Sequence, residues 1–94
     1  MPAKEDLKSI GRYTWEVWGI RQTHIYLDRL DDACRLVHKF RMIGRPCEYL
    51  AEGLRRHECG KHVIFYVPTP ARTLIARVLH QDMLPQRRDF IDPE

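Results

Sequence analysis

His62-Val63-Ile64-Phe65-Tyr66-Val67 is the stretch on which the fold turns. Apart from His62, every residue in it is β-branched or aromatic, the side chains that pack best on a pleated surface. Gly60-Lys61 precedes it and suits a tight turn, while Pro68-Thr69-Pro70 follows it and cannot continue a central ladder. The spacing therefore predicts a strand with an antiparallel neighbour on each side. Leu54–Cys59, weakly alternating, is the upstream candidate, and Arg72–Leu79 the downstream one. Phe65 and Tyr66 are adjacent on the strand and so point to opposite faces. One belongs to the core; the other lies on an open face with the arginines or beneath a partner.

Upstream of this meander the period changes from two to about 3.6. Leu7, Ile10, Tyr13 or Thr14, and Val17 or Trp18 recur at helical spacing, predicting a helix over residues 3–18. Pro2 is tolerated at its start, Glu5 and Asp6 suit its positive end, and Gly19 stops it. A second helix is predicted from Ile20 to Phe40, with Tyr26 or Leu27, Leu30, Ala33 or Cys34, Val37 and Phe40 along one stripe. So short a joint makes an antiparallel hairpin. Gly44 and Pro46 then punctuate the chain, and Cys47 to Gly53 reads as a loop. The predicted class is α+β, a helix hairpin packed on one face of an antiparallel β-sheet meander, in a single domain over residues 1–94.

With 94 residues, 44% apolar and 31% charged, the chain is large enough to fold and too small for an enzyme with its own cofactor domain. Sixteen basic against thirteen acidic residues give a charge of +3, which permits contact with nucleic acid or an acidic partner but falls short of a DNA-coating protein. The arginines concentrate in the second half. Cys34, Cys47 and Cys59 show no metal-binding spacing, and Lys4, Glu5 and Asp6 stand where a signal peptide would need an apolar run. The expectation is a reduced, cytoplasmic protein that needs no metal and no cofactor.

Chemistry-bearing residues are few. His24 and His38 lie on the hairpin without partners nearby in sequence. His57 and His62 flank the first hairpin turn and His80 ends the last strand, so these three could converge; no nucleophile motif accompanies them, and no residue is assigned a catalytic role. Arg55, Arg56, Lys61, Arg72, Arg77, Arg87 and Arg88 form either a cationic surface or a solvated sheet face balanced by Glu52, Glu58 and Asp82. Tyr13, Trp15 and Trp18 could stack on bases, but their spacing better fits aromatics packed against a neighbour.

Gly11-Arg12-Tyr13-Thr14, Trp18-Gly19, Tyr26-Leu27, Ile43-Gly44-Arg45-Pro46-Cys47, Gly53-Leu54-Arg55, Gly60-Lys61-His62-Val63-Ile64-Phe65-Tyr66 and Arg77-Val78-Leu79-His80-Gln81 follow one another in an order that closely resembles the ParE branch of the RelE/ParE toxin superfamily. The resemblance spans about residues 3–85. It implies the same hairpin-on-sheet fold and a bacterial toxin of a type II toxin–antitoxin module, neutralised by a ParD-like antitoxin whose C-terminal segment wraps it in a hetero-oligomer. ParE-type toxins poison DNA gyrase, whereas RelE-type relatives cleave mRNA on the ribosome with basic residues and a C-terminal tyrosine. After the last strand this chain has Asp82 where a cation would serve, and no tyrosine follows. That favours the gyrase branch over an endoribonuclease using Arg72, Arg77, His80 and Arg87; a non-toxic relic that only binds antitoxin is a third reading.

Neither membrane nor sequence-specific nucleic-acid binding is expected. Antitoxin contacts are expected at Trp15, Trp18, Tyr26, Arg55, Phe65 and Arg77, and target contacts at His80, Arg87 and Arg88. The chain also opens where the family's first helix starts, without the usual preceding strand. An unpaired sheet edge, closed by self-association or by a strand from the antitoxin, is the expectation.

Overall fold

In a computed structural model, described over residues 2–90, two helices precede a four-stranded antiparallel sheet. Met1 and residues 91–94 of the expected domain lie outside that range. Helix α1 is Pro2–Trp18 and helix α2 is Ile20–Lys39. Gly19 alone separates them, at φ 86°, a conformation that costs a β-carbon-bearing residue free energy. Its N–H donates to the Trp15 carbonyl at 3.0 Å, closing α1. Its carbonyl accepts the Thr23 N–H at 3.1 Å and the Thr23 hydroxyl at 2.8 Å, opening α2. One residue thus satisfies both helix ends, which is why the hairpin can be so tight.

Strands β1 (Arg45–Pro46), β2 (Arg55–Cys59), β3 (His62–Pro68) and β4 (Thr73–His80) pair in sequence order. The meander stands as expected, with Gly60, at φ 59°, in the β2–β3 turn. Strand β1 is a correction. Gly44-Arg45-Pro46 reads as punctuation in the sequence, yet Arg45 and Pro46 pair with Arg56 and Arg55. What holds them is tertiary: the buried Tyr66 hydroxyl accepts the Gly44 N–H at 2.8 Å and donates to the Arg41 carbonyl at 2.9 Å. A β-carbon on Gly44 would meet the Arg56 carbonyl and the Tyr66 hydroxyl at 2.6 Å each. Gly44→Ala should therefore lower the urea midpoint by an amount equivalent to about 1–3 kcal/mol, with an unchanged m-value.

The sheet has a covered surface on both sides. Ile64 and Val78 face each other across β3 and β4 and pack with Ile10, Leu30 and Ala33 of the hairpin. On the other side Val63, Phe65 and Leu79 pack with Cys47, Leu50 and Leu54, and Phe90 closes over Phe65 with ring centroids 5.0 Å apart. Phe65 and Tyr66 are both buried, so the expectation of one open position fails. The chain covers that face itself, with residues 47–54 and the 3-10 turn at Arg87–Phe90.

Two further expectations about apolar residues are corrected. Tyr13, Trp15 and Trp18 of α1 are exposed, while Ala3, Ile10 and Thr14 are the buried positions of that helix. Phe40, placed on the α2 stripe by periodicity, lies beyond the helix end and is exposed. The cysteines behave as small apolar residues. Cys47 is buried, and burial pushes the Cys34 thiol up to about 11, away from the reactive thiolate.

Strand β4 is the sheet edge beside α1. Its Val78 N–H is taken at 2.9 Å by Asp6 Oδ2, and the Asp6 carboxylate also receives Arg77 Nε and Nη2, each at 2.8 Å. A helix side chain therefore stands where a further strand would supply a carbonyl.

Candidate functional site

Between the hairpin and the β4 edge lies an open groove of about 970 Å³. Tyr13 and Trp18 from α1 and Tyr26 from α2 line its apolar side, joined by Met83 from the turn after β4. Arg29, Lys61, His62 and His80 line its polar side. Tyr13 and Trp18 both border the groove from α1, and Trp18 is 66% exposed. An aromatic so exposed at the mouth of a groove is a surface that gains from being covered.

At the groove floor Gly60 brings the β2–β3 turn against α2. A β-carbon there would approach the Tyr26 ring to 2.9 Å. The Tyr26 oxygen accepts the Lys61 N–H at 3.2 Å, which leaves its own proton for His62 Nδ1, with which it is in contact. Burial raises the Tyr26 pKa above its ordinary value, so the phenol keeps that proton. The His62 ring meets the His80 ring edge-on, with centroids 5.3 Å apart, because the β3–β4 register sets the two residues opposite each other. Burial and the neighbouring His80 together hold the His62 pKa below its usual value.

The sign of the resulting pH dependence follows from linkage. The unfolded chain takes up the His62 proton near its ordinary pKa of about 6.5, and the folded chain only at lower pH. The stability that His62 contributes is therefore complete above that pH and is lost as pH falls below it. The urea midpoint should drop between about pH 7 and pH 5, and His62→Asn, which keeps an acceptor for Tyr26, should remove that component.

The site residues expected from sequence separate into groups. Trp18, Tyr26 and His80 come together in the groove. Trp15, 62% exposed, lies instead along a second cleft with Leu7, Gly11, Leu27 and Cys34. Phe65, at 2% exposure beneath Phe90, offers no surface to a partner. Arg77 is spent on Asp6 and on the Asp89 carbonyl, at 3.1 Å. Arg55 donates to the carbonyls of Gly44, at 2.9 Å, and Met42, at 3.0 Å, and so braces the chain around β1. His80 stands apart from Arg87, which sits across the sheet and donates to the Tyr49 carbonyl at 3.1 Å; Arg88 is exposed beside it.

Arg55 and Arg77 are thus structural braces and not part of a free cationic field. His62 and His80 converge as expected, without His57, while sequence reasoning missed Arg29 and Met83 altogether and did not join Tyr13 and Lys61 to them in one surface.

Sequence comparison agrees with this architecture. A family model described as the ParE toxin of the type II toxin–antitoxin system parDE matches residues 1–85. The chain belongs to the ParE toxin family. It is 38% identical over 81 residues to Toxin ParE1 of Caulobacter vibrioides, covering 86% of this chain and 83% of that one. It is 35% identical over 82 residues to Toxin ParE1 of Mycobacterium tuberculosis, covering 86% and 84%. Toxin ParE of Escherichia coli is 28% identical over 82 residues, covering 86% and 80%. This ParE-family chain has, among its described residues, no helix long and apolar enough to cross a membrane.

Proposed function

We propose that this chain is the cytoplasmic toxin of its module, that it poisons DNA gyrase by docking and not by catalysis, and that a ParD-like antitoxin neutralises it by seating an amphipathic segment in the groove between the hairpin and β4. The observation that carries this reading is the groove itself, with exposed Trp18 and Tyr13 beside Tyr26 and a basic rim at Arg29 and Lys61. Amphipathic segments dock in such grooves through apolar anchors, with charge fixing their register.

The arginines expected to serve an endoribonuclease favour docking. Arg72 precedes β4 and His80 ends it, which separates them by about 26 Å at the usual rise of an extended strand. Arg77, between them, is held by Asp6. A phosphate cannot touch all of them at once.

The exposed pair at Arg87 and Arg88, on the far side of the sheet from the groove, is the proposed contact with gyrase, with His80 left to the groove. Purified protein should inhibit supercoiling by gyrase, and its expression should arrest growth. Arg87→Ala with Arg88→Ala should abolish both effects and leave antitoxin affinity within about threefold. Unimpaired supercoiling at any excess of the unmodified protein overturns the gyrase assignment; retained arrest in the double variant overturns the site.

A further inference from the structure

The groove is one-sided in charge. Arg29, Lys61, His62 and His80 all line it, and the carboxylate among its lining residues, Asp6, is already engaged by Arg77 and the Val78 N–H. The groups that face His62 can be followed element by element. From α2 come Tyr26, in contact with Nδ1, and Arg29; Cys59 lies opposite on β2, and Lys61 precedes it in the turn. From β4 comes His80, whose Nδ1 accepts the Asp82 N–H at 3.1 Å. The Asp82 carboxylate reaches His80 at 3.6 Å from the solvent side and is itself 84% exposed. A proton on the histidine pair would therefore be surrounded chiefly by cations and a phenol. What the pair lacks is a buried counter-charge, and the apolar wall of Tyr13, Trp18 and Tyr26 would exclude water from one placed there.

We infer that an acidic side chain of the docked segment lands on the His62–His80 pair and draws a proton onto it, so that capture of the partner tightens as pH falls. This rests on the groove being the antitoxin's seat, as proposed above. The occupant is an amphipathic segment with a carboxylate among its apolar anchors, because a neutral anchor would leave the groove's positive and protonatable groups with only the solvent-exposed Asp82 carboxylate, on His80, as counter-charge. The proton comes from solvent onto an imidazole nitrogen, and no covalent bond changes. With the proton on Nδ1, His62 becomes a donor to the Tyr26 oxygen, and the Tyr26 hydrogen turns toward the groove, where a carboxylate accepts it. Binding and protonation then favour each other by the same factor.

The test uses the full chain and its purified cognate antitoxin. Calorimetric titrations at pH 8 and pH 6, each in two buffers of different ionisation heat, give the affinity and the number of protons taken up. About tenfold tighter binding at pH 6, with uptake of roughly half to one proton, is expected. His62→Asn should lose most of the pH dependence, whatever it does to the affinity at pH 8. Because that variant could fold poorly, the His62 ring is also followed by NMR in the unmodified chain, where its titration midpoint should rise by about one and a half units or more in the complex.

Tight binding that Trp18→Ala weakens, but with flat affinity, no proton uptake and an unmoved His62 midpoint, overturns this inference and leaves the docking site standing. Binding that Trp18→Ala does not weaken overturns the docking site, and the inference with it. Proton release on binding contradicts the inference directly.

Discussion

Asp6→Ala should destabilise the fold by about 3 kcal/mol, which for a domain of this size is a fall of roughly 10–20 °C in Tm. Three donors converge on that carboxylate: Arg77 Nε and Nη2, each at 2.8 Å, and the Val78 N–H at 2.9 Å. The side chains of Asp6 and Arg77 are 13% and 23% exposed, so water screens the pair little and replaces it poorly. Truncation leaves Arg77 with the Asp89 carbonyl as its partner, and leaves a strand N–H open on the sheet edge. Loss of one member of a half-buried pair is costly because the other member stays behind. Asp6→Asn, which keeps an acceptor for Val78, should fall between the two. The alanine variant should also self-associate more readily as concentration rises, since an uncovered edge templates strand pairing. Chemical denaturation and sedimentation velocity read the two effects separately; an Asp6→Ala protein as stable and as monomeric as its parent would remove Asp6 from this role.

Trp18→Ala should weaken antitoxin binding by about thirtyfold or more and leave Tm within a degree or two. The indole is 66% exposed, so its removal costs the free fold little. In a complex the same indole would be the largest apolar anchor at the groove mouth, and buried tryptophans of this kind carry about 2 kcal/mol or more of binding free energy. Trp15 is the internal control. It is exposed to the same degree but lines the cleft on the other side of the hairpin, so Trp15→Ala should weaken binding by less than about threefold. In cells, the Trp18→Ala protein should still arrest growth, and co-expressed antitoxin should no longer relieve the arrest. Equal losses for Trp15→Ala and Trp18→Ala would instead indicate a partner that straddles the hairpin.

The elements of this fold were legible because local chemistry and tertiary structure agree on them. Gly19 ends one helix and begins the next, Gly60 makes the hairpin turn, and the β-branched and aromatic run at β3 becomes a strand paired on both sides. Strand β1 was not legible, since Arg45 and Pro46 have no strand propensity and owe their pairing to a tyrosine hydroxyl twenty residues away in sequence. Burial of Phe65 was hidden for a related reason: Cys47, Leu50, Leu54 and Phe90 cover it without any regular period.

The site was legible only in pieces. Trp18, Tyr26 and His80, which line the proposed groove, could be named from residue type, but an exposed tryptophan and a buried one have the same helical spacing. The arginines misled in the opposite sense. Arg55 and Arg77 read as contacts for a partner, and both are used inside the fold, one on carbonyls around β1 and the other on Asp6. Charge type is written in a sequence, whereas the partner that neutralises each charge is set by packing.

Hydrogen exchange of the chain, alone and saturated with antitoxin, is the most direct test of where this toxin is held. The groove assignment predicts slowed exchange along residues 13–26, across the Gly60–His62 turn and at the outer edge of β4, with little change over residues 47–54. Protection confined to residues 47–54 and 87–90, with the hairpin and the β4 edge exchanging as in the free protein, would place the antitoxin on the opposite face and contradict it.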